Sequence, residues 1–186
     1  MPNLDPVQLK QIFTTTKRSK DFFTKSFKSF VETGTHVGST IIALHPYFEK
    51  LYTIEIAEQL YNTCKNEFER RKINNVELVM GDSAKIIPEF IRKINTDTVF
   101  WLDGHWSGGA TGKGDKDVPL LEEIKSINDF PYKAGIIIDD ARLFGTSINE
   151  DWSEITEHNI INVLHDSRVE DYYYCNDRFV ILYNQI

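Results

Sequence analysis

The chain has 186 residues, 41% hydrophobic and 26% charged, an ordinary globular balance with room for one sizeable core rather than two. A formal net charge of −7 argues against broad electrostatic binding to nucleic acid. No apolar run approaches the roughly 18 residues of a membrane span, and the first residues lack the apolar core of a secretory leader, so the expected setting is the cytoplasm. Cys64 and Cys175, far apart, read as buried or idle thiols in a reducing compartment rather than as a disulfide or metal site.

Residues 7–28 mix apolar residues (Val7, Leu9, Ile12, Phe13, Phe22, Phe23, Phe27) with Lys17, Arg18, Lys20, Lys25 and Lys28, which predicts one or two short helices against the main body. From Ser29 the pattern alternates. "SFVET" (29–33), "LYTIEI" (51–56), "VELVMG" (76–81), "TVFWLD" (98–103) and "GIIIDD" (135–140) have the sparse internal charge of parallel strands covered on both faces. Helical stretches lie between them at 38–50, 57–72, 83–94 and 118–128. This order predicts a doubly wound α/β sheet. A further helix is expected over 148–166. Only Asn176 and Asp177 separate "DYYYC" (171–175) from "RFVILYN" (178–184), so short a connection that the pair should be an antiparallel hairpin. No repeat or linker divides the chain, and the reading is a single domain, 1–186, with a lead-in (1–28) and a core (29–186).

Ligands of such sheets sit beyond the carboxyl ends of the strands. The unusual polar residues gather there: Glu32 and Gly34 after the first strand, Glu55 at the second, Gly81 and Asp82 after the third, Asp103 at the fourth, and Asp139 and Asp140 at the fifth. A carboxylate at Glu55 can accept both hydroxyl protons of a ribose. The first turn reads E-x-G-x-x-x-G, with His36 where a dinucleotide fingerprint needs its middle glycine. A nucleoside without a diphosphate fits better.

E-x-G-x-x-x-G-S, "YTIEI", "VMGDSAKIIPEF", "FWLDGHW" and "IIIDDAR", in this order, resemble S-adenosylmethionine-dependent class I O-methyltransferases of the catechol O-methyltransferase type, over about residues 29–145. The "LDGHWSGG…KGDKD" stretch also looks like uncharacterised bacterial methyltransferase-like proteins, some similar to sugar-modifying enzymes. The resemblance implies a Rossmann-like fold with a seven-stranded sheet, S-adenosyl-L-methionine as cofactor, and methyl transfer to a hydroxyl of a small molecule or sugar. It implies that Gly34 and Gly38 let the cofactor's methionine end approach the backbone, with helix-start amides and Ser39 or Thr40 taking its carboxylate. Glu32 would orient the loop or meet the cofactor's amino group, Glu55 the ribose, and Asp82 with Ser83 the adenine. N-capping of the 83–94 helix by this pair is the alternative, and the two can coexist.

By the same resemblance Asp103, Asp139 and Asp140 stand where metal-dependent members hold Mg2+ or another divalent cation, with Asp103 also near the cofactor. Asp140 departs from the asparagine often found there. The lysine base of those members, three residues after Asp103, is replaced by Trp106. His105 is the nearest substitute base, or equally a ligand, a supporting group, or a residue merely packed beside Trp106. The glycine-rich 107–117 fails as a phosphate loop, having Ser107 and Gly114 at two required positions; it suits a lid, with Lys113 and Lys116 able to meet an anionic acceptor.

A non-catalytic cofactor- or partner-binding protein of this fold remains as the alternative, and a nicotinamide-dependent oxidoreductase ranks behind it. A nucleic-acid amino-methyltransferase is disfavoured by the acidic charge and by "DDAR" in place of its Asn/Asp-Pro-Pro-aromatic motif. Compared with larger small-molecule enzymes of the type, the lead-in is short. Either a large acceptor binds an open cleft, or a second subunit completes the site as a homodimer.

Overall fold

Five parallel strands and an antiparallel C-terminal pair form one sheet in the computed structural model, which describes residues 4–105, 116, 118–148 and 150–186. The strands are β1 (Phe27–Thr33), β2 (Lys50–Glu55), β3 (Val76–Met80), β4 (Asp97–Leu102), β5 (Ala134–Ile138), β6 (Val169–Cys175) and β7 (Arg178–Tyr183). Their order is β3-β2-β1-β4-β5-β7-β6. β7 runs antiparallel between β5 and β6, as the two-residue connection demands; Asn176 in that turn takes the left-handed φ of 56°.

Side chains alternate across the sheet and build two cores. Ile136 and Ile138 face one, with Phe90 of α5 (Ser83–Lys93), Ile124 of α6 (Leu120–Ile127) and Ile160 of α7 (Glu157–Val163). Ile137 and Trp101 face the other, with Leu9 of α1 (Pro6–Thr14), Phe22 of α2 (Lys17–Phe22), Ile41 of α3 (Ser39–Leu44) and Phe68 of α4 (Glu58–Arg70). The basic lead-in is thus two capped helices whose apolar residues complete the second core. Both cysteines are free and buried. No helix among the described residues is long and apolar enough to cross a membrane.

Two helices are shorter than the pattern predicts. The 38–50 stretch leaves the α-helix at Leu44 for a 3-10 turn over His45–Tyr47, because Pro46 lacks an N–H. The 148–166 stretch contributes only α7. Buried Trp152 is drawn into the core; its N–H bonds back to Thr146, and its carbonyl accepts from Gly145 as well as from Ile155 in a tight turn. Thr156 then caps the helix by accepting from the Asn159 N–H.

Candidate functional site

At the tip of β1 the chain turns through three left-handed residues, Gly34 (φ 78°), His36 (φ 51°) and Gly38 (φ 75°). The Gly34 and Thr35 N–H groups both donate to the Ile54 carbonyl, at 3.0 and 3.1 Å, which lays the loop on the end of β2. Glycine is required at position 34, since a Cβ there would sit 2.5 Å from the Asp103 carbonyl oxygen. The glycine loop and the tip of β4 are therefore in direct contact.

Glu55, 4% exposed, accepts from the His36 N–H at 2.7 Å through Oε2 and from the Ala57 N–H at 2.8 Å through Oε1. Each oxygen keeps a second lone pair. Glu32 is turned inward, accepting from the Thr53 hydroxyl at 2.6 Å and from Thr40. Burial pushes its carboxyl up to about 8 against those hydrogen bonds, with Glu55 adding to the rise. Thr40 is accordingly buried beneath the loop, whereas Gly38 caps α3 without a side chain. Asp82 caps α5 by accepting from the Ala84 N–H at 3.1 Å. Ser83, expected beside an adenine, turns its hydroxyl to the Glu123 carboxyl of α6.

Across the loop the tips of β4 and β5 carry the acids. His105 lies among two of them and Glu150 of the segment before α7: Nδ1 is 3.7 Å from Asp103 Oδ1, and Nε2 is 3.6 Å from both Asp140 Oδ2 and Glu150 Oε2. Its ring packs edge-on against Trp152, 5.2 Å between centroids, and the Trp152 indole N–H donates to Glu150 at 2.8 Å. Asp140 holds φ 56° and is 2% exposed. Its Oδ1 pairs with Arg142, while Oδ2 is buried without a hydrogen-bond partner among the described residues. The ligand atoms of Asp103, His105 and Asp140 all lie within 4.8 Å of one another.

Asp139, expected as the third metal ligand with Asp103 and Asp140, stands apart from this group. Its Oδ1 is 3.4 Å from the Arg178 Nε, and the arginine lies over the Trp101 ring. Burial lifts Asp139 to about 6 despite the arginine, with Asp140 adding. Asp103 is held well above the carboxylate range by burial and then by Asp139, Asp140 and Glu32, with Arg178 opposing. A cavity of about 380 Å³ opens beside these acids, lined by Gln8, Asp139, Asp140, Arg142, Asp177 and Arg178. Apart from that ion pair, the Arg178 Nε has no hydrogen-bond partner among the described residues.

Trp106, Lys113 and most of the expected lid fall outside the described residues; Lys116 is exposed and paired with Glu122. The sequence reading missed Glu123, Glu150 and Arg178. Glu123 was findable, because Leu120, Ile124 and Ile127 place it on the buried stripe of its helix. Glu150 was hidden by the helical reading of 148–166, and Arg178 by its position as an ordinary strand start.

No protein-family model and no curated protein matches the sequence. Solved structures do match along the whole chain. A candidate methyltransferase from Streptococcus mutans in complex with SAH is 16% identical with a TM-score of 0.58, covering 100% of both chains. An rRNA methylase from Streptococcus thermophilus is 16% identical with a TM-score of 0.58, covering 100% of this chain and 99% of that one. A candidate caffeoyl-CoA O-methyltransferase from Staphylococcus aureus is 12% identical with a TM-score of 0.63, covering 98% and 85%. At these identities the likeness establishes the fold: a Rossmann-like, class I methyltransferase sheet closed by an antiparallel hairpin.

Proposed function

We propose that this chain binds S-adenosyl-L-methionine and methylates a hydroxyl group of a small polar molecule such as a sugar, with help from a divalent cation. The observation that carries the reading is the contact between Gly34 and the Asp103 carbonyl. It joins a nucleoside-type loop, with Glu55 at its edge, to a group of acids around one imidazole. Glu55 has lone pairs left for ribose hydroxyls, with Asp82 and Ser83 toward the adenine. The Gly34–Gly38 loop and Ser39 face the amino-acid end, and Glu32 and Thr40 brace that loop from below. The bound cofactor supplies the electrophilic methyl group.

The gap between His105 Nε2 and its two carboxylate neighbours is 3.6 Å, too long for hydrogen bonds. A neutral imidazole also cannot donate from both nitrogens to flanking carboxylates. Among the described residues, buried Asp140 Oδ2 has no hydrogen-bond partner on the same side. A third group shared between these atoms resolves both conflicts, and either a cation or an acceptor hydroxyl fits. Asp103, His105 and Asp140 would hold the cation, an oxygen-and-nitrogen set suited to Mn2+ as well as Mg2+, and it would acidify an acceptor hydroxyl. Where the hydroxyl itself occupies the gap, His105 takes its proton and Asp103 steadies the imidazolium. Asp139 is proposed as a support through Arg178. The neighbouring cavity has charged and amide walls, and the buried Arg178 Nε makes no hydrogen bond among the described residues, which favours a polyhydroxylated acceptor over a phenol.

Calorimetric titration with S-adenosylhomocysteine tests the cofactor half, because this product cannot turn over. We expect micromolar binding, and Glu55→Ala should weaken it by about 1–3 kcal/mol, the range for hydrogen bonds to a charged group. Absence of binding at millimolar ligand by folded protein would sink the reading. Titration with Mn2+ tests the other half: His105→Ala should weaken binding at least tenfold, and in turnover with hydroxylated sugars should slow the reaction by about 10²–10⁴. Equal Mn2+ affinity in wild type and variant would remove the imidazole from the ligand set.

A further inference from the structure

Glu123 has no part in the chemistry proposed above, although it is 1% exposed and its carboxyl meets hydroxyls from two other elements. The Ser83 hydroxyl, from the turn between β3 and α5, donates to Oε1. The Thr33 hydroxyl, at the end of β1, donates to the same carboxyl group. Thr33 Oγ1 in turn accepts the Asp103 N–H at 3.2 Å, and this extends the chain of bonds to the tip of β4. Gly104 completes the enclosure, for a Cβ there would lie 2.9 Å from Thr33 Oγ1 and 3.2 Å from Glu123 Oε1.

A carboxyl group in this position is not needed to fill space. Its neighbours on the α6 stripe, Leu120, Ile124 and Ile127, are apolar and fully packed, and a leucine would continue them with no polar group to satisfy. What a leucine lacks is the ability to receive two hydroxyl donors from separate elements, Thr33 of β1 and Ser83 of α5. Burial raises Glu123 to about 8, with Asp82 and Glu122 adding and the Ser83 and Thr33 hydrogen bonds opposing. It therefore sits largely neutral at pH 7, and the hub carries no buried charge.

We propose that Glu123 is the positioning residue of this site, tying the tips of β1 and β4 and the β3–α5 turn into one frame so that Ser83 and the Gly34–Asp103 contact are presented together to a nucleoside ligand. The identity of the ligand rests on the function proposed above; the frame does not. Glu123→Gln keeps an acceptor for both hydroxyls, and Glu123→Leu keeps only bulk.

The test combines S-adenosylhomocysteine affinity with amide hydrogen exchange on the ligand-free chain. Glu123→Leu should bind at least tenfold more weakly, while Glu123→Gln stays within threefold of wild type. Exchange in Glu123→Leu should accelerate together at residues 33–36, 81–84 and 102–105. Should Glu123→Leu fail to fold, Thr33→Val, which removes one arm of the hub without touching ligand, should weaken binding and deprotect Asp103. Wild-type affinity in Glu123→Leu, exchange changes confined to α6, or a Glu123→Gln variant as impaired as the leucine would each overturn the proposal. If wild type binds no S-adenosylhomocysteine, the cofactor reading falls by itself and the exchange pattern decides the role of Glu123.

Discussion

Gly34→Ala is expected to destabilise the chain by about 3–5 kcal/mol and to lower S-adenosylhomocysteine affinity more than a hundredfold. Two effects add. The residue holds φ 78°, where a side chain costs about 1–2 kcal/mol. The new methyl group would also meet the Asp103 carbonyl oxygen at 2.5 Å and its carbon at 3.1 Å. These are backbone atoms at the tip of a central strand, and no rotamer change relieves the clash. Gly145 provides the control, with φ 75° but nothing among the described residues within 4 Å of its missing Cβ. Gly145→Ala should therefore cost only the conformational part. Urea unfolding of the two variants separates the effects, and equal losses would mean that the loop does not press on β4.

Stability should fall as pH is raised from 5 to 8, because two fully buried acids are neutral in the folded chain. Glu32 and Glu123 both move from 4.5 to about 8, in each case chiefly through burial. Unfolding frees them to ionise near 4.5, so above that pH the unfolded chain binds fewer protons than the folded one. Their stabilising contribution is thus whole below about pH 4.5 and is lost progressively as pH climbs through about 8. At roughly 1.4 kcal/mol per unit, each acid accounts for a loss on the order of several kcal/mol. Asp103 and Asp139 are raised too and act in the same direction, so the informative comparison is between variants. Glu32→Gln and Glu123→Gln should each flatten the dependence measured by urea unfolding at pH 5, 6.5 and 8, and the double variant should flatten it most. A wild-type profile level between pH 5 and 8 would show that both groups are ionised when folded.

Strand tips were the legible part of this sequence. Uncharged β-branched runs such as "GIIID" can only be covered strands, and a polar residue at the end of one has few places to go. Glu55, Asp103 and Asp140 were read as strand-tip residues in this way, and each stands at or just past the end of its strand. Partnership was harder to read. Whether Asp139 faces a metal or an arginine depends on β7 arriving beside β5, a pairing that joins Ile136 to Ile181, 45 residues along the chain. The inward turn of Ser83 depends similarly on Glu123, 40 residues away. The helix limits failed for a local reason at Pro46 and a distant one at Trp152, which the core claims from outside any helix. Period and composition register the first kind of cause and are blind to the second.

The place of β7 also bears on how the chain is made. Synthesis delivers β5, with all five of its residues destined for burial, some forty residues before the strand that covers its free edge. Until Arg178–Tyr183 has emerged, the growing chain displays an unprotected run of isoleucines, the kind of open edge that recruits other chains. A ribosome stalled, or a message truncated, between residues 140 and 178 would leave a nearly complete sheet with its most adhesive side bare. Quality control of this protein should therefore act while residues 140–178 are being translated, and its chaperone demand should be concentrated there.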